Sequence, residues 1–386
     1  MTHDNPSRLF TPGPTRVAKP VREVMAEPLI HHRTDEFRDK VQQVTTGLQE
    51  VIRTQQPVVL LTSSGTGAME AALSNVAKPG EKVLITAGGK FGRRWQELAA
   101  AYGLDPVVVE AKWGEPVAPS EVQSALSSAG PVKVVFTTHT ETSTGVLQDV
   151  AAIAEVAKAA GAVVVVDAIS SLCAQDFKMD EWGVDVVIGG SQKGFGVPPG
   201  LSFVALSGAA TRRAERPGFP SYYFSLARGL KAVEKWNTAY SPAIPQVLAM
   251  AVSLAMIQEE GLGNVIRRHQ HNAQAVRAAA TALGLELFAS SPCNATTVVQ
   301  PAEGKAGDII RTMELSYGLK IAGGQAHLSG KICRLGHLGF YHETDIYTLI
   351  SALEGTLTEL DINPSPGRGM ESALESFQAD RAVSDA

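Results

Sequence analysis

Cysteine is scarce in this chain of 386 residues. Its three thiols, Cys173, Cys293 and Cys333, are an odd and scattered set, and none stands at metal-ligand spacing from a histidine. That argues against a disulfide framework and against an iron–sulfur or zinc site built from clustered thiols, and it fits reduced thiols in a cytoplasm. Positive charge is also short: 34 Lys and Arg against 39 Asp and Glu give a net charge of -5. A nucleic-acid binder needs a basic footprint, so no nucleic acid is expected, and an anionic substrate has to be met by local cations. Long apolar runs are missing as well. No window approaches the roughly 18 uninterrupted apolar residues of a membrane span, and the opening MTHDNPSRLF lacks the apolar region of an export signal. The expectation is a cytoplasmic protein with no membrane association.

What the chain has is apolar side chain in quantity. Hydrophobic residues make up 44% of it and charged residues 19%, enough for a large core. At roughly 150 residues per domain, one large and one smaller domain are expected. Short β-branched runs alternate with amphipathic stretches over the first 250 or so residues, the rhythm of a mainly parallel sheet wrapped by helices. The expected strands are Val58 to Thr62, Lys82 to Thr86, Pro106 to Glu110, Val132 to Thr137, Ala162 to Asp167, Asp185 to Gly189 and Leu201 to Leu206. Several are apolar at every position, which predicts a sheet buried on both faces. Helices are expected at Gly67 to Ala77, Phe91 to Tyr102, Pro119 to Ser128 and Val150 to Ala160. After Ile244 come longer helices, Gln246 to Glu260 and Gly263 to Leu283, then short strands at Leu285 to Phe288, Thr296 to Gln300, Leu319 to Ala322 and Lys331 to Leu335. The reading is an N-terminal arm (1–20), a large domain (21–257), a small α+β domain (258–364) and a loosely ordered tail (365–386).

Five segments carry residues suited to chemistry. Lys193 lies in Ser191-Gln192-Lys193-Gly194-Phe195-Gly196, on an irregular loop after an apolar strand, where open α/β sheets bind ligands. It is either an exposed loop lysine or an amine whose desolvation suits it to a Schiff base. Asp167 ends the run Val163 to Val166. A carboxylate at the mouth of a buried strand needs a partner, and a helix amide, a metal or the pyridinium nitrogen of pyridoxal phosphate each qualifies. Ser63-Ser64-Gly65-Thr66-Gly67-Ala68 is a small-residue turn entering a helix, a phosphate cradle or a plain turn, and it is neither a Walker loop nor GxGxxG. His139 to Val146 is dense in hydroxyls, with Ser143 placed to bond a ligand or to serve the turn. Arg334, in a strand-like run late in the chain, presents a fork for a carboxylate or for a salt bridge at a sheet edge.

The order of these pieces, together with TPGPT at Thr11, SSGTGAMEAALSN at Ser63, HTETSTGV at His139, VVVDAISSL at Val164, DEWGVDVVIGGSQKG at Asp180, PPGLSF at Pro198 and GKICRLGHLG at Gly330, resembles the class V aminotransferases. The resemblance is nearest to the alanine–glyoxylate and serine–pyruvate group and runs from about Phe10 to Asp361. It implies the fold-type I pyridoxal-phosphate architecture: a seven-stranded, mainly parallel sheet and a smaller C-terminal α+β domain. It implies Lys193 as the Schiff-base lysine and Asp167 as the partner of the ring nitrogen. Phe91 takes the place of a stacking aromatic ring. Thr66, Gly67 and Ala68 match the phosphate turn, Gln192 a phosphate contact, and Ser143 a hydroxyl near the ring. Arg334 matches the anchor of the substrate α-carboxylate. Tyr240 and Ser241 match residues that reach the phosphate of the neighbouring subunit, so a homodimer is implied, although Ala243 stands where some members have threonine.

The resemblance also implies the reaction, transfer of an amino group from alanine, serine or aspartate to glyoxylate or pyruvate. Arg33, in His31-His32-Arg33-Thr34, is either a receiver for a second substrate carboxylate or a structural residue. Two other readings are weighed against this one. A lyase such as a cysteine desulfurase would keep Lys193 and Asp167 but would need a nucleophilic cysteine on a mobile loop. A non-catalytic subunit of the soluble-hydrogenase type would need ligands for a redox centre.

Overall fold

The computed structural model describes residues 7–216, 218, 221–362 and 366–384. A seven-stranded sheet forms its centre. The strands are β1 (Val58–Leu61), β2 (Lys82–Ala87), β3 (Asp105–Glu110), β4 (Val134–Thr138), β5 (Val163–Asp167), β6 (Val186–Gly190) and β7 (Ser202–Leu206). They lie side by side as β3-β2-β4-β5-β6-β7-β1. Neighbours are parallel except at β7, which runs antiparallel to both β6 and β1. Successive residues of each inner strand enter different cores. Val164 and Val166 pack into the layer holding Phe37, Val41 and Leu48, while Val165 points to the layer holding Met69, Leu73 and Trp95. This is the physical reason that these strands are apolar at every position.

The helices on the two faces are α1 (Lys19–Val24), α2 (Asp35–Ile52), α3 (Gly65–Val76), α4 (Lys90–Ala101), α5 (Pro119–Ala129), α6 (Val150–Ala159), α7 (Gly208–Ala214), α8 (Leu226–Val233) and α9 (Ile244–Glu260). Helix α2 illustrates how local signals set an element. The Thr34 hydroxyl accepts a hydrogen bond from the Phe37 amide, Asp35 and Glu36 occupy the positive first turn, and Phe37, Val41, Val44, Leu48 and Val51 form one buried stripe. Helix α3 begins at Gly65, two residues before the expected start, so Thr66 and Gly67 lie inside its first turn.

Gly261, at φ 83°, separates α9 from α10 (Leu262–Ala282). Beyond it, an antiparallel sheet has the order β8-β9-β11-β10, from β8 (Glu286–Leu287), β9 (Thr296–Gln300), β10 (Ala322–Gly323) and β11 (Cys333–Gly336). Helices α11 (Ala306–Leu315) and α12 (Glu343–Glu359) pack on it through Ile309, Met313, Ile346 and Leu349. The strand expected at Leu319 to Ala322 is divided. Leu319–Lys320 pairs in parallel with Arg8–Leu9 from the N-terminal arm, and Ala322–Gly323 pairs with β11. A sequence window shows neither partner, because one lies more than 300 positions away.

The tail differs from expectation. Residues Arg368–Ser384 form α13, which lies along α10 and α12. Ala373 is fully buried and Phe377 is 5% exposed, both within the small-domain core, with Met370 against it. Positions 370, 373 and 377 lie on one helical face, a stripe diluted by the polar residues around it. Replacing Phe377 with alanine should therefore cost about 3 kcal/mol, read as a lower urea midpoint at an unchanged slope. A tail that made no core contact would leave the midpoint where it was.

Candidate active site

The parallel strands end at one edge, and β5 and β6 deliver two charged groups there. Asp167 is the last residue of β5, and Lys193 follows β6 on the loop Ser191 to Gly200. Both line a cavity of about 260 Å³, together with Ser64, Gly65 and Thr66 from α3, Phe91 and Arg94 from α4, Gln192, Thr140 and the Gly13-Pro14 segment of the arm. A larger open groove of about 470 Å³ between α2 and α9 is lined by residues such as Gln42, Glu50 and Leu254 and has no lysine or arginine in its wall. The chemistry is concentrated in the smaller space.

Lys193 is 9% exposed, and its Nζ donates to the Pro12 carbonyl at 2.6 Å. Burial lowers its pKa to about 8, helped by the charge of Arg334 and opposed by Asp167 and Glu141. Gly13, at φ +134°, makes the close approach feasible, because a Cβ there would fall 2.4 Å from Nζ. Asp167 is 4% exposed and accepts from the Ile169 amide at 2.9 Å. Burial raises its pKa to about 7 and Glu141 adds to the rise, while the Ile169 bond and the charges of Lys193 and Arg94 act the other way. A carboxylate so placed has a standing demand for a cationic partner.

Phe91 is aimed by a buried carboxylate fifty positions away. Glu141 Oε2 accepts from the amides of Phe91 and Gly92, each at 2.9 Å, and its Oε1 accepts from the Ser143 amide and hydroxyl. Ser143 Oγ in turn accepts from the Lys90 amide at 2.9 Å. Glu141 thus caps the start of α4, where a negative charge is favoured. Burial pushes its pKa up, against these same hydrogen bonds.

The structure brings Lys193, Asp167, Gln192, Thr66 and Phe91 to one cavity. The others stand apart from its wall. Gly67 and Ala68 belong to the same first turn of α3, with Gly67 against Ser63 Oγ. Ser143 is occupied in the Glu141 network behind Phe91, and Thr140 lines the cavity in its stead. Arg334, 8% exposed on β11, donates to the carbonyls of Gly323 at 2.7 Å and Thr142 at 3.1 Å, bridging the two domains. Tyr240 and Ser241 line a separate crevice with Thr62 and Tyr223. Arg33 is exposed, its amide bonded to His31 Nδ1 at 3.2 Å. Sequence reasoning assigned nothing to Gly13, Thr140 or Arg94. The usable signal for Arg94 was its place three positions after Phe91, on the same helical face.

These residues fit pyridoxal phosphate. Lys193 is a desolvated amine, Asp167 a buried carboxylate wanting a cation, and Phe91 an aromatic ring at the wall. Ser64, the N-cap of α3, makes no side-chain bond to the helix amides, and its carbonyl accepts from the amides of Gly67 and Ala68, which leaves the N–H groups of Gly65 and Thr66 for an anion. Thr140 Oγ1 and Gln192 Oε1 are buried without a protein partner. Fold and site together define a fold-type I pyridoxal-phosphate enzyme.

Comparison with known proteins narrows the class. The family described as Aminotransferase class-V matches residues 14–334. The L-aspartate–glyoxylate aminotransferase of Paracoccus denitrificans is 34% identical over 99% of this chain and 98% of its own length. A Synechococcus protein named as the small subunit of a soluble hydrogenase is 41% identical, over 95% of this chain and 97% of its own. The crystal structure of ureidoglycine–glyoxylate aminotransferase from Bacillus subtilis superposes with a TM-score of 0.91 at 27% identity, covering 98% of this chain and all of that one. The chain belongs to the class V aminotransferases, and it is a pyridoxal-phosphate-dependent aminotransferase. The hydrogenase name fits less well. Among the described residues no group of His, Cys, Asp and Glu could hold a metal, and all three cysteines are buried.

The Lys193 amine of the cofactor-free protein should titrate near 8. Its reaction with an amine-directed reagent, followed by mass spectrometry of the Lys193 peptide, should rise steeply between pH 7 and pH 9 and then level off. A rate that keeps climbing beyond pH 10, as at surface lysines, would refute the desolvation described here.

Proposed function

We propose that this aminotransferase moves the amino group of a small amino acid, alanine, serine or aspartate, to glyoxylate or pyruvate, with Lys193 and Asp167 at the reacting centre. The observation that carries the assignment is the desolvated amine of Lys193 facing the same cavity as the buried Asp167. Bound pyridoxal phosphate supplies an electron-withdrawing ring that stabilises negative charge at the donor's α-carbon and carries the amino group between the two half-reactions. Lys193 holds the cofactor covalently. Its uncharged Nζ would take and return a proton at the donor's α-carbon, work that suits a pKa of about 8. Asp167 would hold a proton at the cofactor's ring nitrogen. Phe91 limits the ring's movement, and Thr66, Gly67, Ala68 and Gln192 hold the phosphate. Ser143 acts through Glu141 and the start of α4. Arg334 anchors the α-carboxylate with its planar fork. Names among the relatives, aspartate–glyoxylate and serine–glyoxylate aminotransferase, support glyoxylate as acceptor. Arg33 is not part of the cavity wall, which favours donors without a second carboxylate.

The desulfurase reading needs an exposed thiolate. Here burial pushes the Cys333 thiol up to about 12 and raises those of Cys173 and Cys293, so none is suited to attack. A homodimer in the cytoplasm completes the proposal. Tyr222 and Tyr223 are 69% and 46% exposed beside Tyr240, an aromatic face suited to a second copy. No helix among the described residues is long and apolar enough to cross a membrane.

Purified protein should show the visible absorbance of a lysine-bound cofactor, lose it when one of alanine, serine or aspartate is added, and regain it with glyoxylate. Lys193→Ala should abolish both band and turnover. Sulfide release from cysteine without any keto acid would instead make the protein a lyase. For the dimer, Lys193→Ala and Tyr240→Ala chains are each expected to be impaired, while their hybrid regains one intact site per dimer. A hybrid as impaired as its parents would place Tyr240 in its own subunit's chemistry.

A further inference from the structure

One cation at the cavity has no role in the reading above. Arg94 lies one turn after Phe91 on α4, with its Cζ 4.9 Å from the centre of the Phe91 ring. Its Nη1 donates to Thr66 Oγ1 at 3.1 Å, which sets the guanidinium against the first turn of α3. Among the described residues Arg94 has no carboxylate partner. Its neighbour Arg93 is different: it pairs with Glu110 and lies over Trp113. A half-buried guanidinium kept free of carboxylates and held at a helix start is complementary to a dianion. A second observation points to a ligand in the same space. Thr140, 3% exposed, lines the cavity with a hydroxyl that has no partner.

Resting on the assignment of this cavity to pyridoxal phosphate, we propose that Arg94 binds the cofactor's phosphate and ties it to Thr66. One N–H of the fork is already spent on the Thr66 hydroxyl, and the remaining donors can serve two phosphate oxygens. The Thr66 contact decides between the phosphate and a substrate carboxylate, because it fixes the charge beside the open amides of α3, where the phosphate has the greater need. The ring of Phe91 beneath the guanidinium gives the charge a second support that does not neutralise it. A chain of net charge -5 thereby meets its most highly charged ligand with a local cation.

The test compares pyridoxal phosphate with pyridoxal, which lacks the phosphate, by quenching of tryptophan fluorescence in the cofactor-free full-length protein. The wild type should show competition between pyridoxal phosphate and inorganic phosphate; Arg94→Met should remove that competition, weaken pyridoxal phosphate roughly ten- to a hundredfold and leave pyridoxal unchanged. Arg94→Lys should recover part of the loss. Equal weakening of both ligands would make Arg94 merely structural and overturn the proposal. So would an unchanged affinity for pyridoxal phosphate, whether alone or with a raised KM for aspartate, the second pattern reassigning Arg94 to a substrate carboxylate. A wild type that binds neither ligand would overturn the cofactor assignment itself, whereas wild-type binding with an indifferent Arg94→Met overturns only the role of Arg94.

Discussion

A primary amine held away from water is the constraint on which this site depends. Moving Lys193 from 10.5 to about 8 corresponds to about 3 kcal/mol of disfavoured positive charge, and burial is the main cause. Such a penalty is sustained only by a scaffold that cannot relax around it. The loop bearing Lys193 leaves a strand buried on both faces, and Phe195, two residues on, is itself fully buried against Phe203. The arm then closes the other side. Thr15 donates to the Lys193 carbonyl at 3.0 Å, and Gly13 leaves Nζ just enough room to reach the Pro12 carbonyl.

Glu141 performs the corresponding work for the opposite wall. Its carboxylate gathers the amides of Phe91 and Gly92 and both the amide and the hydroxyl of Ser143, four donors on a buried charge, each worth about 1.5 to 3 kcal/mol when charge-assisted. The loop after β4 and the start of α4 become one rigid piece, and Phe91 and Arg94 are carried on it. The same negative charge opposes the lowering of the Lys193 pKa and adds to the rise at Asp167. One residue thus links the aim of an aromatic ring to the proton balance of the two groups facing it.

The parts legible in the sequence are those whose signal is local. The seven strands lie within two residues of their expected bounds, because an apolar run flanked by turn residues carries its own ends. Asp167 and Lys193 were legible as a strand-end carboxylate and a loop amine. Arg94 was not, because its direction depends on Glu141 fixing the start of α4 from fifty positions away. Ser143 was expected near the cofactor ring, yet its hydroxyl is taken by Glu141, a competition that composition does not reveal. Helix α13 was missed for the same kind of reason. Ala373 and Phe377 acquire meaning only against α10, about a hundred residues earlier.

Arg334 shows how a buried cation is kept ready without being captured. It is 8% exposed, yet its partners are the neutral carbonyls of Gly323 and Thr142 rather than a carboxylate. Carbonyls satisfy the N–H groups well enough to avoid the penalty of a bare buried charge, but they bond a guanidinium about half as strongly as a carboxylate does. In the proposed reaction an arriving carboxylate would displace them without first breaking an ion pair. The strand bearing Arg334 is steadied at its far end, where Arg268 donates to the carbonyls of Gly339 and Tyr341, each at 2.9 Å, and His269 Nε2 accepts from the Gly339 amide at 2.9 Å. Burial lowers the His269 pKa to about 3, so the ring stays neutral and this acceptor persists across the working range of pH. In the proposed reaction the anchor is thus carried by the small domain, while Lys193 and Asp167, the proton-handling groups, belong to the large one.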